Sequence, residues 1–342
     1  MTVSIIIPCL NEVEFIGPCL DSLLASGYPH ARLEVLVVDG MSDDGTRAVI
    51  SSYAGRYPFV RLVDNPNRVT PCALNIGIAQ ARGAIIMRMD AHAQYPPNYI
   101  ADLVDWLART GADNVGGAWL TLPSDTTVTA RAIAAVLAHP FGIGNARYRL
   151  GTKEPRDVDT VPFGCFRREV FERVGMFDEE LVRNQDDEFN FRLLRAGGRV
   201  VLVPGVVCSY YARRSVRQVA RMFYQYGYFK PLVALKIGRI MTLRQLVPAL
   251  FVLSVLVTGL AAPWVGPARQ LGALILGPYL ALAGACALAL GWRHGARVGL
   301  AATRIFPVVH VCYGLGFLQG ALALVRRMTR RPLDRRSTPL SR

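Results

Sequence analysis

The sequence predicts an α/β domain with a mostly parallel sheet, followed by C-terminal transmembrane helices. Residues 1 to about 230 mix charged and apolar residues as a globular domain does. From residue 3 to 89, short apolar runs alternate with helical patterns, which is typical of parallel sheets that helices cover on both faces. From Leu246 to Val325, Leu, Ala, Val and Gly dominate in runs that reach the roughly 20 residues needed to cross a membrane. With 52% hydrophobic and 19% charged residues, the chain is not a disordered one.

Strand and helix signals alternate in order from the first residues. The predicted strands are 3–8, 33–38, 60–63 and 84–89. The predicted helices between them run through 15–24, 46–57 and 71–81. Ligands of such sheets bind at the carboxyl ends of the strands, so the residues that directly follow each strand are the candidates for a site.

The first predicted strand is followed by Pro8-Cys9-Leu10-Asn11-Glu12, and no GxGxxG pattern accompanies it. This argues against a dinucleotide-binding dehydrogenase. The second strand leads into Asp39-Gly40-Met41-Ser42-Asp43-Asp44-Gly45-Thr46. A glycine turn and a helix N-cap account for Ser42 and Asp43. For Asp39 we favour ligand binding over capping, because this carboxylate ends an apolar strand where a base or ribose would approach.

The strand at 84–89 is followed by Asp90-Ala91-His92. Alternate residues of an extended segment point the same way, so Asp90 and His92 are expected to converge on one divalent cation. A carboxylate with an imidazole suits Mn²⁺ better than a site of oxygen atoms alone would, and Mg²⁺ is the alternative. In the competing interpretation, His92 is a turn residue that hydrogen-bonds to the backbone.

Four segments in this order and spacing resemble family 2 of the inverting glycosyltransferases, which have the Rossmann-like GT-A fold. They are Ser-Ile-Ile-Ile-Pro-Cys-Leu-Asn-Glu at 4–12, Val-Val-Asp-Gly-Met-Ser-Asp-Asp-Gly-Thr at 37–46, Ala-Leu-Asn-Ile-Gly-Ile-Ala-Gln-Ala-Arg-Gly at 73–83 and Asp-Ala-His at 90–92. The resemblance covers about the first two thirds of the chain. Within the family, the sequence is most similar to bacterial exopolysaccharide glycosyltransferases of the succinoglycan type, which carry C-terminal membrane helices.

The resemblance implies roles for the residues after the strands. Pro8, Glu12 and Asp39 match positions that hold the base and ribose of a nucleotide sugar. Asp90 matches the first Asp of the DxD motif of the family, which binds the metal that bridges the donor diphosphate. His92 stands where the family usually has the second Asp, so the resemblance implies a metal site formed by Asp90 and His92 and leaves Mn²⁺ or Mg²⁺ open.

Pro162 to Glu179 resembles the acceptor-side segment of the family, which implies that Gly164 lies on the acceptor side. Cys165 in this segment has no His or Asn partner in the pattern of a nucleophile, so buried packing is expected.

Asn184 to Arg192 matches the Glu-Asp motif of the family, with Gln185 in place of the Glu. The resemblance assigns the catalytic base to Asp186, with Asp187 as second choice if the match shifts by one residue. It places Gln185 and Arg192 on the acceptor side. For Asp187 and Glu188 we otherwise favour a solvated first helical turn that the helix dipole stabilises.

The apolar part of the chain contains three runs. Leu246–Gly266 and Gln270–Trp292 are interpreted as spanning helices of a hairpin joined by Pro267-Ala268-Arg269. The basic segment between Arg293 and Arg304 is then expected as a short cytoplasmic connection.

The third apolar run, 305–325, raises a conflict in topology. The tail 326–342 contains seven Arg residues and one Asp, which places it in the cytoplasm by the positive-inside rule. A full crossing by 305–325 would put this tail outside. Either the run re-enters or lies in the interface, or the topology differs by one span.

Residues 213–245 combine basic and aromatic side chains, which favours an amphipathic interfacial region. A basic helix packed on the catalytic domain is the alternative. The resulting domain prediction is a catalytic domain 1–212 with a nucleotide-sugar half 1–92 and an acceptor half 93–212, an interfacial region 213–245, a membrane region 246–325 (246–266, 270–292, 305–325) and a basic cytoplasmic tail 326–342.

The remaining signals concern the compartment. The formal net charge is +14, but no aromatic residues are interleaved with the tail arginines, so a membrane surface is preferred over nucleic acid as the partner. Met1-Thr2-Val3 has no basic leader, so the catalytic domain is expected to stay in the cytoplasm. Seven cysteines without a CxxC pair indicate reduced, mostly buried thiols.

Together these signals predict a metal-dependent inverting glycosyltransferase of a bacterial inner membrane, multi-pass and with a cytoplasmic catalytic domain. It would move a hexose from a nucleotide sugar, UDP-glucose-like, to a lipid-linked saccharide in exopolysaccharide or cell-envelope synthesis. One alternative is a polyprenyl-phosphate hexose synthase, whose acceptor is the lipid phosphate. Another is a non-catalytic membrane scaffold or transporter with a nucleotide-binding-like domain.

Overall fold

The computed structural model describes residues 1–144, 147–238 and 242–329, which form two compact units. The first unit comprises 1–120 and 147–210. The second comprises 121–144, 211–238 and 242–329.

The elements alternate as expected over the first half of the chain. The strands are β1 Val3–Cys9, β2 Leu33–Asp39, β3 Val60–Asp64, β4 Ile85–Arg88, β5 Ala93–Gln94, β6 Asn114–Leu122, β7 Arg156–Asp157, β8 Cys165–Arg167 and β9 Val200–Tyr211. The α-helices are α1 Val13–Leu24, α2 Thr46–Arg56, α3 Thr70–Gln80, α4 Tyr99–Thr110, α5 Val128–Leu137, α6 Pro140–Ile143, α7 Arg147–Leu150, α8 Glu169–Val174, α9 Gln185–Arg195, α10 Val216–Ile237, α11 Val247–Ala261, α12 Gly266–His294 and α13 Ala296–Thr329. Short 3-10 helices lie at His30–Arg32 and Leu243–Gln245.

The strands form one sheet in the order β3-β2-β1-β4-β8-β6-β9-β5, with β7 paired to β9. The pairs β1–β2, β1–β4 and β2–β3 are parallel. Because parallel strands end on the same side, the residues that follow β1, β2 and β4 meet at the carboxyl end of the sheet. Beyond β4 the direction changes, since β8 is antiparallel to β4 and β6, and β5 and β7 are antiparallel to β9.

Both faces of the sheet are covered by apolar side chains. In β1, Ile5 and Ile7 belong to a core that also contains buried residues of α1 and α4, whereas Ile6 belongs to a second core with residues of α3 and α9. This two-sided burial explains why the strands have no apolar–polar alternation, and it confirms the predicted α/β sheet.

The second unit has a core of its own. Buried residues of α5, α10, α12 and α13 pack together, among them Ile133, Met222, Ala287 and Phe306. Residues 121–144 therefore group with the C-terminal helices rather than with the sheet. The predicted limits at 212 and 245 stay a prediction.

Helix α10 begins at a capping box of Ser215 and Gln218 and packs closely against α13. Two glycines permit this approach, because a Cβ at Gly227 would lie 2.0 Å from the Tyr313 carbonyl oxygen and one at Gly316 would lie 2.0 Å from that of Tyr224. The aromatic residues of α10 thus border a helix–helix contact.

Three helices of the described chain are long and apolar enough to cross a membrane: Leu243–Ala261, Gly266–His294 and Ala296–Arg327. The predicted connection Pro267-Ala268-Arg269 is wrong, because these residues form the first turn of α12, where proline is favoured. The segment between Arg293 and Arg304 is helical except at Gly295, whose φ of 104° separates α12 from α13. The cytoplasmic location of this segment stays a prediction.

All seven cysteines lie in the described part of the chain, where they form no disulfide bonds, and five of them are buried. The burial agrees with the prediction of mostly buried thiols. The basic tail extends beyond the described residues from 330 onward.

Candidate active site

Asp90 and His92 follow β4 in a turn that a buried tyrosine holds. The main-chain N–H of Asp90 donates to the Tyr95 hydroxyl oxygen at 2.7 Å, and this hydroxyl lies 3.3 Å from the Asp90 carbonyl oxygen, to which it donates. The Cys19 thiol also donates to that carbonyl, at 3.5 Å. The backbone of Asp90 is therefore anchored from inside the core, and its side chain faces outward.

The structure brings three residues of the predicted site together at this turn: Glu12, Asp90 and His92. His92 Nδ1 lies 3.1 Å from Asp90 Oδ1 and 3.2 Å from Glu12 Oε1, and Glu12 comes from the loop after β1. His92 thus does more than complete a turn with the backbone.

The donor set at this turn fits a divalent cation only in part. A carboxylate and an imidazole suit Mn²⁺, and Mg²⁺ is commonly bound through one or two carboxylates together with substrate phosphates. The described residues contain no group of three or more His, Cys, Asp or Glu arranged to hold a metal ion by themselves. Asp90 and His92 therefore supply two of the donor groups that such a cation would need.

The loops after β1 and β2 are held together by side chains. Asn11 has a φ of 53°, and its main-chain N–H donates to the Ser42 hydroxyl oxygen at 2.8 Å. Its amide donates to Asp43 Oδ1 at 2.7 Å and accepts from the Asp43 main-chain N–H at 3.1 Å. The structure thus uses Ser42 and Asp43 as loop residues, but the predicted N-cap role is wrong, because the N-cap of α2 is Gly45 and makes no side-chain hydrogen bond.

Asp39 is fully buried at the end of β2, beside Cys9 of β1. Its carboxylate accepts from the Ser42 main chain and hydroxyl at 2.9 and 2.5 Å and from Arg47 at 2.9 Å. The carboxylate that was expected to meet a base or ribose therefore also fixes the loop that follows it. Pro8, predicted for the same role, pairs with Val38 on the adjoining strand.

Asp186 lies in the first turn of α9, which Asn184 introduces with a φ of 61°. Its Oδ1 pairs with Nη1 of Arg88, the last residue of β4. Burial raises the pKa of Asp186, with Asp187 and Asp90 acting in the same direction, although the Arg88 guanidinium opposes the shift. A raised pKa is what a proton acceptor requires to operate near neutral pH.

The other residues predicted for the acceptor side lie in closely packed surroundings. Gln185 is buried, and the Gly164 carbonyl oxygen accepts from the Arg88 main chain at 2.9 Å. A Cβ at Gly164 would lie 2.5 Å from Asn114 Oδ1, so close packing requires glycine there.

The expectation of a solvated first turn is wrong for Glu188. Its carboxylate is buried and pairs with Arg192, at 2.5 Å to Nε and 2.9 Å to Nη2. Arg192 also donates to the carbonyl oxygens of Val174 and Met176, at 2.6 and 2.7 Å. This pair holds the segment before α9, and the Arg192 guanidinium also lies over the Phe189 ring, 5.1 Å from its centroid.

Sequence reasoning missed several residues around the site. Arg88 contacts Asp186, and Tyr95 contacts Asp90. The Trp119 and Tyr210 rings stack with 4.4 Å between their centroids. The His92 ring lies 5.5 Å from the Tyr210 ring. An arginine that ends the apolar strand Ile-Ile-Met-Arg was a visible signal for Arg88. Cys165 is fully buried, and burial raises the pKa of its thiol, which agrees with a packing role.

The geometry can be compared with known proteins. The family model "Glycosyl transferase family 2" matches residues 4–175. The succinoglycan biosynthesis protein ExoA of Rhizobium meliloti is 32% identical over 246 residues, which cover 71% of this chain and 73% of that protein. The chain belongs to glycosyl transferase family 2.

Two further proteins resemble this family 2 glycosyltransferase over most of its length. A dolichyl N-acetyl-alpha-D-glucosaminyl phosphate 3-beta-D-2,3-diacetamido-2,3-dideoxy-beta-D-glucuronosyltransferase of Methanococcus voltae is 28% identical over 267 residues, 75% of this chain and 82% of that protein. The mannosyltransferase PcManGT of Pyrobaculum calidifontis, solved in complex with GDP-Man and Mn²⁺, superposes with a TM-score of 0.55 at 23% identity over 93% of this chain and 86% of its own. The GT-A fold that the resemblance implied is confirmed.

Proposed function

We propose that this family 2 glycosyltransferase is metal-dependent and inverting, and that it transfers a hexose from a nucleotide sugar to a lipid-linked saccharide. One observation carries the proposal. The candidate metal ligands Asp90 and His92 follow directly after β4, and the candidate base Asp186 is attached to the end of the same strand through Arg88. Donor and acceptor groups would therefore meet at one strand end.

An inverting transfer requires one base at this position. Asp186 accepts the proton of the acceptor hydroxyl while that oxygen attacks the anomeric carbon from the side opposite the phosphate. The bond between the anomeric carbon and the phosphate oxygen breaks, and its electron pair leaves with the nucleoside diphosphate. No carboxylic acid is needed, in contrast to glycoside hydrolysis, where a second carboxyl group protonates the departing oxygen.

Asp90 and His92 would hold the divalent cation, Mn²⁺ or Mg²⁺, and when bound it neutralises charge on the diphosphate. Tyr95 keeps the Asp90 backbone in place for this purpose. Glu12, Asp39 and Pro8 lie at the ends of the neighbouring strands and are proposed to receive the nucleotide.

The relatives suggest which substrates to test. ExoA acts in succinoglycan biosynthesis, and the Methanococcus voltae protein is named for a dolichyl-linked sugar acceptor. The first name supports a role in polysaccharide synthesis, and the second supports a saccharide carried by a lipid as the acceptor. We propose a UDP-linked hexose, UDP-glucose-like, as the donor, with GDP-mannose as a second donor to test because PcManGT was solved with it.

The C-terminal helices support a place at the membrane. Along α12, Leu274, Leu280 and Leu288 are exposed, and Trp264 and Trp292 near its two ends are 82% and 84% exposed. A water-soluble surface rarely contains so large an apolar area, whereas tryptophans at the two ends of a span suit the membrane interfaces. We propose a multi-pass protein of a bacterial inner membrane with the catalytic unit in the cytoplasm.

The proposal is tested by nucleoside-diphosphate release from detergent-solubilised protein with UDP-, GDP- and dTDP-sugars and membrane lipid extract. Release is expected to require one donor, lipid extract and Mn²⁺ or Mg²⁺, and to stop with EDTA. Asp90→Ala is expected to abolish it. Asp105→Ala, on the exposed face of α4 in an ion pair with Arg109, is the matched control and should retain activity.

Release by Asp90→Ala at the wild-type rate would contradict the metal site. No release from folded wild-type protein with any donor and several lipid extracts would contradict the transferase proposal and favour a non-catalytic scaffold. Identification of the lipid product distinguishes a saccharide acceptor from a lipid phosphate.

A further inference from the structure

Arg88 is held rigidly by the sheet. In β4 it lies opposite Ile6 of β1, and its main-chain N–H donates to the Gly164 carbonyl oxygen at 2.9 Å. The preceding residue, Met87, pairs with Cys165 of β8. Strands on both sides therefore determine where the Arg88 side chain begins.

The guanidinium of Arg88 is directed to one carboxylate. The side chain is only 13% exposed, and Nη1 pairs with Asp186 Oδ1. Its Nε is buried and has no hydrogen-bond partner among the residues that the structure describes. Burial of a guanidinium with so few partners costs free energy, and the ion pair with Asp186 is what offsets this cost.

Phe163 packs beside this guanidinium, with 5.9 Å between its ring centroid and Arg88 Cζ. Phe163 is 2% exposed and has a φ of 47°, a left-handed conformation that is uncommon for a bulky residue. Its ring also contacts Trp119 at 4.9 Å between centroids. Strained residues of this kind cluster at functional sites, where the surrounding structure holds them in place.

Asp186 presents two different oxygens. Oδ1 is held by Arg88, and 32% of the side chain is exposed, which leaves room for Oδ2 to meet a substrate. The charged groups that act on this carboxylate are Arg88 from β4, Asp90 beyond the end of β4 and Asp187 on the same helix. Arg88 is the cation among these three.

We propose that Arg88 is a positioning residue for the general base, in that it holds Oδ1 of Asp186 so that Oδ2 faces the acceptor hydroxyl. This inference rests on the proposed function. The pairing fixes the carboxylate against rotation and offsets the repulsion between Asp186 and Asp90. Arg88 itself need not touch the donor or the acceptor.

Arg88→Met and Arg88→Lys in the full-length protein test the proposal, with Arg173→Met as the matched control. Arg173 pairs with Asp113 in the same unit and is 45% exposed. For Arg88→Met we expect a loss of about 100-fold in kcat, with the donor KM changed less than about threefold, because misplacement of a reacting group affects the chemical step. Arg88→Lys should recover about tenfold of this loss, since it retains the charge but not the geometry.

The pH profile of kcat separates positioning of the base from a purely structural role. Removal of the cation raises the pKa of Asp186 further, so the acidic limb in Arg88→Met should move to higher pH. In Arg88→Lys it should stay near the wild-type position. A structural ion pair alone would lower the amount of folded protein and leave the limb where it is.

The double variant Arg88→Met/Asp186→Asn completes a double-mutant cycle. It keeps the test valid even if Arg88→Met alone folds poorly, because removal of both charges leaves neither charge buried without its partner. Once Asp186 is Asn, the loss of Arg88 should lower kcat by less than about threefold. A full additional loss in the double variant, or wild-type kcat in Arg88→Met, would overturn the inference while wild-type turnover still supports the proposed function. Absence of turnover in the wild type overturns both.

Discussion

The two ends of the parallel sheet each hold a partly buried carboxylate, and the protein surrounds them differently. At the amino end, Glu34 accepts from the Ser4 hydroxyl at 2.6 Å, from the Arg82 main-chain N–H at 2.9 Å and from Arg61 at 3.2 Å. Burial alone would raise the pKa of Glu34, but these hydrogen bonds lower it. At the carboxyl end, Asp186 has one oxygen on Arg88, and burial raises its pKa.

We propose that this difference distinguishes a structural carboxylate from the catalytic base. At the amino end three donors hold the Glu34 carboxylate, and the Gly83 main-chain N–H donates to Ser4 Oγ at 2.8 Å. These hydrogen bonds contribute to the stability of the fold. At the carboxyl end the proposed base Asp186 has one ion pair, which would leave it able to accept a substrate proton.

The largest effect is expected from a substitution of Asp186 at the carboxyl end of the sheet. Asp186→Asn should lower kcat by about 10²- to 10⁴-fold with donor binding intact, because the acceptor hydroxyl loses its base. Steady-state kinetics with the identified donor and donor titration measure the two quantities. Asp187→Asn is the matched control and should remain within about threefold of wild type.

If Asp187→Asn loses more activity than Asp186→Asn, the base is Asp187. If neither variant loses activity, the acceptor is an ionised group such as a lipid phosphate, which requires no base.

A smaller effect is expected from a substitution of Tyr95, which contacts the backbone of the candidate metal ligand Asp90. Tyr95→Phe removes the hydroxyl that joins the Asp90 N–H and carbonyl groups, so the turn that presents Asp90 loses its anchor. The Mn²⁺ concentration for half-maximal activity should rise about 10- to 100-fold, as for other residues that orient metal ligands.

Tyr99→Phe provides the comparison for Tyr95→Phe. Tyr99 is equally buried and packs 4.9 Å from the Tyr95 ring, but its hydroxyl pairs with Cys208 rather than with Asp90. Equal Mn²⁺ dependence in the two variants would show that the Tyr95 hydroxyl does not support the metal site.

The smallest effect concerns the amino end and leaves catalysis unchanged. Ser4→Ala leaves the Gly83 N–H without its acceptor and removes a donor to Glu34, which should lower the free energy of unfolding by about 1–3 kcal/mol. Thermal unfolding in detergent measures the loss, and kcat should equal that of wild type. Ser52→Ala, on the exposed face of α2, should stay within about 0.5 kcal/mol.

The pH dependence of this stability has a defined sign. The folded-state pKa of Glu34 is lowered, so its contribution is fully present above the unfolded-state pKa and is lost as pH falls through the folded-state value. In Ser4→Ala the folded-state pKa moves back up, and the stability lost on acidification should be smaller. An unchanged acid dependence in Ser4→Ala would contradict the assignment of this cluster.

Local patterns predicted part of the site. Asp90 and His92 are two residues apart after an apolar strand, and their proximity was predicted. The predicted cause was wrong, because a turn and not an extended segment brings the two side chains together. Glu188 and Arg192 are four residues apart on a helix, a spacing at which opposite charges pair, so the solvated interpretation of Glu188 overlooked a local signal. Arg88 and Asp186 are 98 residues apart, and no periodicity links them.

The sequence by itself determined the α/β class, the strands whose carboxyl ends bear Glu12, Asp39 and Asp90, and the presence of three long apolar segments. Each depends on periodicity or on residues a few positions apart, which local backbone geometry dictates. Only the tertiary structure decided that Arg88 holds Asp186, that Tyr95 anchors Asp90 and that α5 packs with the C-terminal helices. Such contacts depend on the order of strands in the sheet and on which helix faces meet, and both arise when distant segments pack together.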